Sequence, residues 1–364
     1  MEEKIRYMRR ALELAAQGRG HTSPNPMVGC VVVKDGRIIS EDYHHRYGEY
    51  HAERNALSHC TEDPAGADLY VTLEPCCHYG KTPPCTDIIL EKKIGRVFVG
   101  AMDTNPLVGG KGIAILREHG IPVETGILEA ECRAQNEVFF HYIETGRPLV
   151  IMKYAMTLDG KIACESGDAR WVTGEEARRH VHGLRGYYRG ILVGIGTVLA
   201  DDPLLNCRIP GGRDPVRIVC DSSLRIPLAS QLVRTAGEIP LIVVCAQEAG
   251  IDAEKARSLE AAGVRILRSP GQQVDLSWLM ETLGQEKNDS VLVEGGGTLN
   301  ASLLREGLVD RVYAYVAPKI VGGADARTPV EGQGVARMAE ALTLENREVL
   351  TLGEDICITG QVRR

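Results

Sequence analysis

Apolar residues recur at helical spacing over residues 5–16, and the run stops at Gly18. A loop stiffened by Pro24 and Pro26 follows and leads into an apolar strand at 30–33. Lys34-Asp35-Gly36 reads as a hairpin turn into a second strand through Ile38 and Ile39. Further strands are expected at 68–73 and 96–101, the latter closed by Asp103-Thr104-Asn105-Pro106. Helices are expected at 51–58, from Cys85 onward, at about 112–118 and at 129–143. Strands alternating with helices in this way describe a three-layer α/β/α sheet.

A short polar break, Glu144-Thr145-Gly146-Arg147-Pro148, interrupts the pattern. It predicts two domains, 1–145 and 146–364. The second opens on a strand at 149–153, and strands follow at 191–193, 217–220, 241–245, 264–267, 291–293 and 311–317. Helices fall near 175–184, 252–262, 276–283 and 299–306. The order is again α/β with a mostly parallel sheet.

Composition narrows the class. The 364 residues suit two domains, and 44% hydrophobic content is ordinary for a globular chain. A net charge of −7 does not favour a polyanion such as nucleic acid as partner. No apolar run reaches membrane-spanning length, and Met1-Glu2-Glu3-Lys4 lacks the apolar core of a signal peptide. Eleven scattered cysteines, an odd number, suit a reducing cytoplasm with thiols and a metal site better than a disulfide framework.

The chemistry concentrates between His51 and Cys85. His51-Ala52-Glu53 precedes Glu74-Pro75-Cys76-Cys77-His78, and Pro83-Pro84-Cys85 closes the stretch. One imidazole and two thiolates can hold zinc and leave its fourth position for water, whose pKa the metal lowers. Glu53 is near enough in sequence to shuttle protons without ligating. The spacing departs from the H-x-E and P-C-x-x-C pattern of zinc nucleobase deaminases, because eight residues separate Cys76 from Cys85. Cys77 and His78 are rival ligands. Neighbours on an extended segment point apart, so Cys77 would not easily share a metal with Cys76. Cys85 stands at a helix start, where the dipole favours a thiolate. A purely structural zinc knuckle would want four protein ligands and would leave Glu53 without a task.

Other polar residues carry two readings each. Asn25 either turns the chain or offers the substrate a hydrogen bond, and His44 is either a solvated loop residue or a substrate contact. Lys81 and the Gly109-Gly110-Lys111-Gly112 loop are either solvated or placed for a phosphate. In the second half the fingerprint G-x-G-x-x-G is absent, since Leu199 stands where its last glycine belongs. Val293-Glu294-Gly295-Gly296-Gly297 is a strand running through three glycines into a helix, and its bare amides suit a phosphate. Lys153, Asp159, Trp171, Thr197, Asp201, Arg208, Ser222 and Glu294 recur at strand ends or in adjoining loops, where α/β sheets gather ligands.

These residues carry a resemblance. Residues 1 to about 145 look like the cytidine deaminase-like fold. Pro24-Asn25-Pro26-Met27-Val28-Gly29, His51-Ala52-Glu53 and the long Cys76-to-Cys85 loop resemble the pyrimidine deaminase half of the bifunctional riboflavin biosynthesis family. The resemblance implies zinc on His51, Cys76 and Cys85, Glu53 as proton shuttle, and a ribose phosphate near the loop from His78 to Lys81. Met152-Lys153-Tyr154-Ala155-Met156-Thr157-Leu158-Asp159-Gly160-Lys161, the run Gly196-Thr197-Val198-Leu199-Ala200-Asp201-Asp202-Pro203 and the glycine turn are similar to that family's reductase.

The resemblance implies a dihydrofolate reductase-like α/β domain that uses NADPH. Ala155, Trp171, Thr197, Asp201, Ser222 and the turn Gly296, Gly297, Thr298, Leu299, Asn300, Ala301 and Ser302 would then touch the cofactor. Ala169, Arg185, Leu205, Arg208 and Glu294 would touch the sugar-phosphate substrate, with Arg185 and Arg208 chemically suited to clamp a phosphate. Lys153 and Glu294 both remain candidates for the reductive proton.

The implied activity is two steps of riboflavin synthesis on a pyrimidine ribose phosphate. The first is hydrolytic deamination of 2,5-diamino-6-ribosylamino-4(3H)-pyrimidinone 5′-phosphate to 5-amino-6-(5-phosphoribosylamino)uracil. The second is NADPH-dependent reduction of the ribosyl chain to ribityl. A homo-oligomer, dimer or tetramer, in the cytoplasm is expected, with neither nucleic acid nor membrane as partner. The competing readings are a nucleic-acid or nucleoside deaminase fused to an unrelated reductase, and a non-catalytic zinc module fused to a reductase.

Overall fold

The computed structural model describes residues 2–105 and 108–363, so Pro106 of the expected strand end lies outside the described residues. The chain divides into two compact units, Met1–Gly146 and Arg147–Arg364. Among the described residues no helix is long and apolar enough to cross a membrane.

The first unit runs α1 (Glu2–Ala16), β1 (Gly29–Lys34), β2 (Arg37–Tyr43), α2 (Ala52–Ser58), β3 (Asp68–Leu73), α3 (Cys85–Glu91), β4 (Arg96–Ala101), α4 (Lys111–Glu118), β5 (Val123–Thr125), α5 (Glu129–Gln135) and α6 (Glu137–Thr145). The sheet order is β2-β1-β3-β4-β5. The β1 strand pairs antiparallel with β2 and β3, and β3, β4 and β5 are parallel. Helices α1 and α5 pack together on one face, while α2, α3 and α4 adjoin in series on the other. Strands covered on both faces read as continuous apolar runs, as Cys30-Val31-Val32-Val33 does, each residue at most 5% exposed.

Two expectations are corrected here. His51 is not in a helix: it caps α2 with extended backbone, φ −75° and ψ 165°. The helix expected at 129–143 is broken at Asn136, which leaves the helical region with φ −106° and ψ 27°. The cause is tertiary. The Asn136 side chain accepts from the Met27 N–H at 2.8 Å and donates to the Met27 carbonyl at 2.9 Å, both in the buried interior. Those bonds satisfy a buried segment that has no strand partner there.

The second unit runs β6 (Leu149–Thr157), α7 (Glu175–Tyr187), β7 (Gly190–Gly194), α8 (Ile195–Asp201), β8 (Val216–Cys220), α9 (Gln231–Arg234), β9 (Leu241–Ala246), α10 (Ala253–Ala261), β10 (Arg265–Ser269), α11 (Leu276–Gln285), β11 (Ser290–Val293), α12 (Gly297–Arg305), β12 (Arg311–Ala317), a 3₁₀ turn (Met338–Glu340), β13 (Leu344–Leu352) and β14 (Asp355–Val362). The sheet order is β10-β9-β8-β7-β11-β6-β12-β14-β13. Pairing is parallel from β10 to β12 and antiparallel at β14 and β13. The β6 strand, expected to end at Lys153, continues to Thr157 because it is parallel to β12 along that length. The antiparallel hairpin β13–β14 is not foreseen from the sequence. Its β13 strand, with Glu345, Arg347 and Glu348, is exposed almost throughout and lacks the alternation that marks a half-buried strand.

Candidate functional site

In the first unit three elements converge. His51 stands before α2, Cys76 follows β3, and Cys85 opens α3 behind Pro84, whose φ is −55°. His51 Nδ1 lies 3.4 Å from Cys76 Sγ and 3.5 Å from Cys85 Sγ. All three donor atoms lie within 4.8 Å of one another, the one such group of His, Cys, Asp or Glu among the described residues. Bonds of about 2.0–2.1 Å to nitrogen and 2.3 Å to sulfur, arranged tetrahedrally, separate N from S by roughly 3.5 Å. The donor set therefore fits zinc in both chemistry and spacing.

Electrostatics prepare the sulfurs. The Cys76 thiol is held down by hydrogen bonding with Cys85 and then His51, and the Cys85 backbone N–H donates to Cys76 Sγ at 3.3 Å. Side-chain hydrogen bonding with Cys76, together with burial, pushes the Cys85 thiol up. A bound dication would favour both as thiolates. Cys77, the rival ligand, is not in this group.

Glu53 lies in the first turn of α2, 3% exposed, and lines a cavity with His51 and Cys76. Burial, and after it the Cys76 sulfur, pushes its carboxyl up to about 7. Such a group takes and releases protons at neutral pH.

The cavity measures about 250 Å³, and Asn25, His44, Tyr47, Lys81, Asp103 and Asn105 line it together with His51, Glu53 and Cys76. His44 is buried and lines the cavity, so it is not a solvated loop residue. Its Nδ1 is 3.0 Å from the Tyr50 carbonyl, which can only accept, so Nδ1 carries the proton. Its Nε2 then accepts from Asn25 Nδ2 at 3.3 Å, which turns the Asn25 carbonyl oxygen the other way. Burial lowers the His44 pKa and keeps the ring neutral.

Sequence reasoning overlooked Asp103, whose carboxyl burial pushes up to about 6, and Glu74. The Glu74 carboxylate accepts the backbone N–H groups of Asp103, Gly110, Gly112 and Ile113 at 3.4, 2.9, 3.1 and 3.3 Å. It thereby caps α4 and ties the cavity-lining Asp103 to the segment that carries Cys76. A side chain on Gly112 would strike the Pro75 carbonyl at 2.0 Å, so only glycine permits that approach. The adjacency of Glu74 to Cys76 is the one signal the sequence offered.

The second unit has a cavity of about 610 Å³. Lys153, Ala155, Ala169, Trp171, Arg185 and Thr197 line it, as do Asp201, Leu205, Arg208, Glu294 and Gly296. Arg185 grips Glu294 with both edges of its fork, at 2.6 and 3.0 Å, and Lys153 Nζ lies 3.4 Å from the same carboxylate. Burial alone would raise the Glu294 pKa, but Arg185 and Lys153 override it and hold the carboxyl at about 2. Arg185 is thus spent on Glu294, which leaves Arg208 as the freer cation for a phosphate. His182, one helical turn from Arg185 on α7, also lines the cavity and went unnoticed in the sequence.

Ser222 and the residues from Gly297 to Ser302 do not line this cavity. Ser222 Oγ accepts from the Val274 N–H at 3.2 Å. Thr298 donates to Glu331 at 3.0 Å, Asn300 donates to the Pro329 carbonyl at 2.8 Å, and Ser302 donates back to the Thr298 carbonyl at 3.1 Å. Leu299 packs on the core, and Ala301 adjoins Gly332. Their side chains build the turn, so what they can offer a ligand is the amides at the start of α12.

Comparison with known proteins agrees on both units. Residues 1–101 match the cytidine and deoxycytidylate deaminase zinc-binding region, and residues 148–358 match the RibD C-terminal domain. A riboflavin biosynthesis protein RibD from Actinobacillus pleuropneumoniae is 51% identical over 97% of this chain and 93% of its own length. The RibD of Escherichia coli (strain K12) is 39% identical over 97% of each chain. The solved structure of Acinetobacter baumannii RibD superposes with a TM-score of 0.90 at 37% identity, covering 100% of this chain and 99% of that one. A diaminohydroxyphosphoribosylaminopyrimidine deaminase/5-amino-6-(5-phosphoribosylamino)uracil reductase from Thermotoga maritima gives 0.88 at 37% identity, with the same coverage.

Proposed function

The chain belongs to the RibD family of riboflavin biosynthesis proteins, and from that premise we propose how its two cavities divide the work. It is a bifunctional deaminase and reductase, built of a cytidine deaminase-like unit and a dihydrofolate reductase-like unit, and it uses zinc and NADPH. Its first reaction hydrolyses the amine from the diaminopyrimidinone ribosylamine phosphate. Its second reduces the ribosyl chain of that product to ribityl.

His51, Cys76 and Cys85 hold the zinc, which when bound lowers the pKa of a water towards neutrality. Glu53 would take one proton from that water and pass it to the ring nitrogen as the water oxygen bonds to the carbon bearing the amine; it would then take the second proton from that oxygen and pass it to the amine, so that the C–N bond breaks, a carbonyl forms and ammonia leaves. The tautomer imposed on His44 turns Asn25 so that its carbonyl faces the substrate as an acceptor. Lys81 takes the phosphate side. The metal triangle with Glu53 buried beside it is the observation that carries the deaminase assignment.

In the second unit NADPH, when bound, supplies the hydride. Lys153 and Glu294, both left as candidates by the sequence, take different parts in this reading. Glu294 is held ionised and has no proton to give, whereas the Lys153 ammonium beside it does. Lys153 therefore provides the proton that accompanies the hydride, and Glu294 and Arg185 hold it in place. Arg208 takes the phosphate, and the α12 amides with Ala155, Trp171, Thr197 and Asp201 receive the cofactor.

One incubation tests both assignments. Purified protein and the ribosylamine phosphate release ammonia without NADPH and yield the ribityl product with it. A zinc chelator abolishes the first step and leaves reduction of the deaminated product intact, and added Zn²⁺ restores ammonia release. Ammonia release that survives complete metal removal would end the deaminase mechanism.

The chain works as a homo-oligomer in the cytoplasm. Among the described residues no two cysteines form a disulfide, which suits a reducing compartment. On the β13–β14 hairpin Val349, Ile356 and Ile358 are 67%, 45% and 37% exposed, and Val349 pairs with Ile358. An apolar patch outward on a sheet face suits burial against a second copy. Light scattering should return a multiple of the chain mass, and Ile358→Lys should shift it towards the monomer; a monomeric wild type ends this reading.

A further inference from the structure

We propose that Tyr47 is a positioning residue for Lys81, holding its ammonium by the aromatic face so that the cation waits in the deaminase cavity without a counter-charge. This rests on the reading of Lys81 as the cation for the substrate phosphate. Lys81 Nζ sits 3.9 Å from the centroid of the Tyr47 ring. Among the described residues Lys81 has no ion pair and no hydrogen-bond acceptor. Both side chains line the cavity that holds His51 and Glu53.

The ring is itself anchored. The Tyr47 N–H donates to the His21 carbonyl at 3.1 Å, and the Glu49 N–H closes a turn on the Arg46 carbonyl at 3.1 Å. Gly48 occupies that turn at φ +90°, a conformation that favours glycine, and a side chain added there would approach the Lys81 ammonium to 3.6 Å. The turn thus sets both the ring and Gly48 beside the lysine.

The physical reason for an aromatic partner is what it leaves unspent. A carboxylate would fix a lysine by neutralising it, and a phosphate would have to displace that carboxylate. A ring attracts the cation through its quadrupole and neutralises none of its charge. The ammonium is then pre-placed with donors available to an incoming anion. Lys81 stands on an exposed loop with four rotatable stem bonds, so without the ring its cation would sample many positions.

A double-mutant cycle tests this in the zinc-loaded full-length enzyme, read as deaminase kcat and KM on the ribosylamine phosphate. Lys81→Met raises KM roughly tenfold to a hundredfold, as loss of a charged hydrogen-bond donor does. Tyr47→Leu raises KM about two- to fivefold with kcat unchanged, the range for an exposed cation–π contact. In the Lys81→Met background the same Tyr47→Leu change has no further effect, whereas with Lys81 present Tyr47→Phe, which keeps the ring face, retains the wild-type KM.

If Tyr47→Leu alters KM by the same factor whether or not Lys81 is present, the two do not act together and the proposal is overturned, while the phosphate reading of Lys81 stands. If Lys81→Met leaves KM unchanged, that reading fails and carries the proposal with it. Zinc content near one per chain in every variant excludes a folding defect as the cause.

Discussion

Glu53→Gln lowers deaminase kcat by roughly 10²–10⁴-fold, the usual contribution of a positioned acid–base group, and leaves NADPH oxidation with the deaminated product at the wild-type rate. The substitution keeps the shape of the side chain and removes its ability to carry a proton. Glu53 is 3% exposed, so no bulk water reaches in to replace it. Zinc content should not change, because the donor triangle consists of His51, Cys76 and Cys85 without it. Ammonia release and metal content, measured on one preparation, decide the matter. Undiminished deamination would remove Glu53 from the chemistry. Parallel loss of zinc would make it a support of the metal site instead.

Glu294→Gln acts in the other unit and on stability as well as rate. It strips the carboxylate from two buried cations, since the side chains of Arg185 and Lys153 are each 15% exposed and that of Glu294 is 10% exposed. Removing one partner of a buried ionic group typically costs about 3–5 kcal/mol, because the remaining charge keeps its desolvation penalty without its attraction. Urea unfolding of the reductase unit should show that loss, and NADPH oxidation should fall with it as Lys153 loses its anchor.

The loss should depend on pH in a defined direction. The Glu294 carboxyl is held at about 2 against an ordinary value of 4.5. A lowered pKa contributes stability that is fully present above 4.5 and fades as pH falls through about 2. The gap between wild type and Glu294→Gln should therefore narrow as pH drops across that window. A gap that holds constant or widens would mean that Glu294 is not the ionised partner described.

The sequence by itself determined the metal chemistry, both fold classes and most of the polar residues that meet in the two cavities. The reason is local. His51 and Glu53 are separated by one residue, and Cys85 follows a double proline that starts a helix, so short-range backbone preferences already place their side chains. The apolar strands were legible because both faces of these parallel strands are covered, which makes their composition uniform.

Other features depend on partners distant along the chain. Asn136 breaks a helix because Met27, 109 residues away, needs both of its hydrogen bonds. His44 acquires one tautomer only where Asn25 and Tyr50 flank it. Glu294 is held as an anion only because Arg185 folds against it from α7. The β13–β14 hairpin escapes sequence periodicity since its outer face is apolar where a solvated strand would be polar. A residue's type is written in the chain, but its charge state and its hydrogen-bonding direction depend on neighbours that only folding brings within reach.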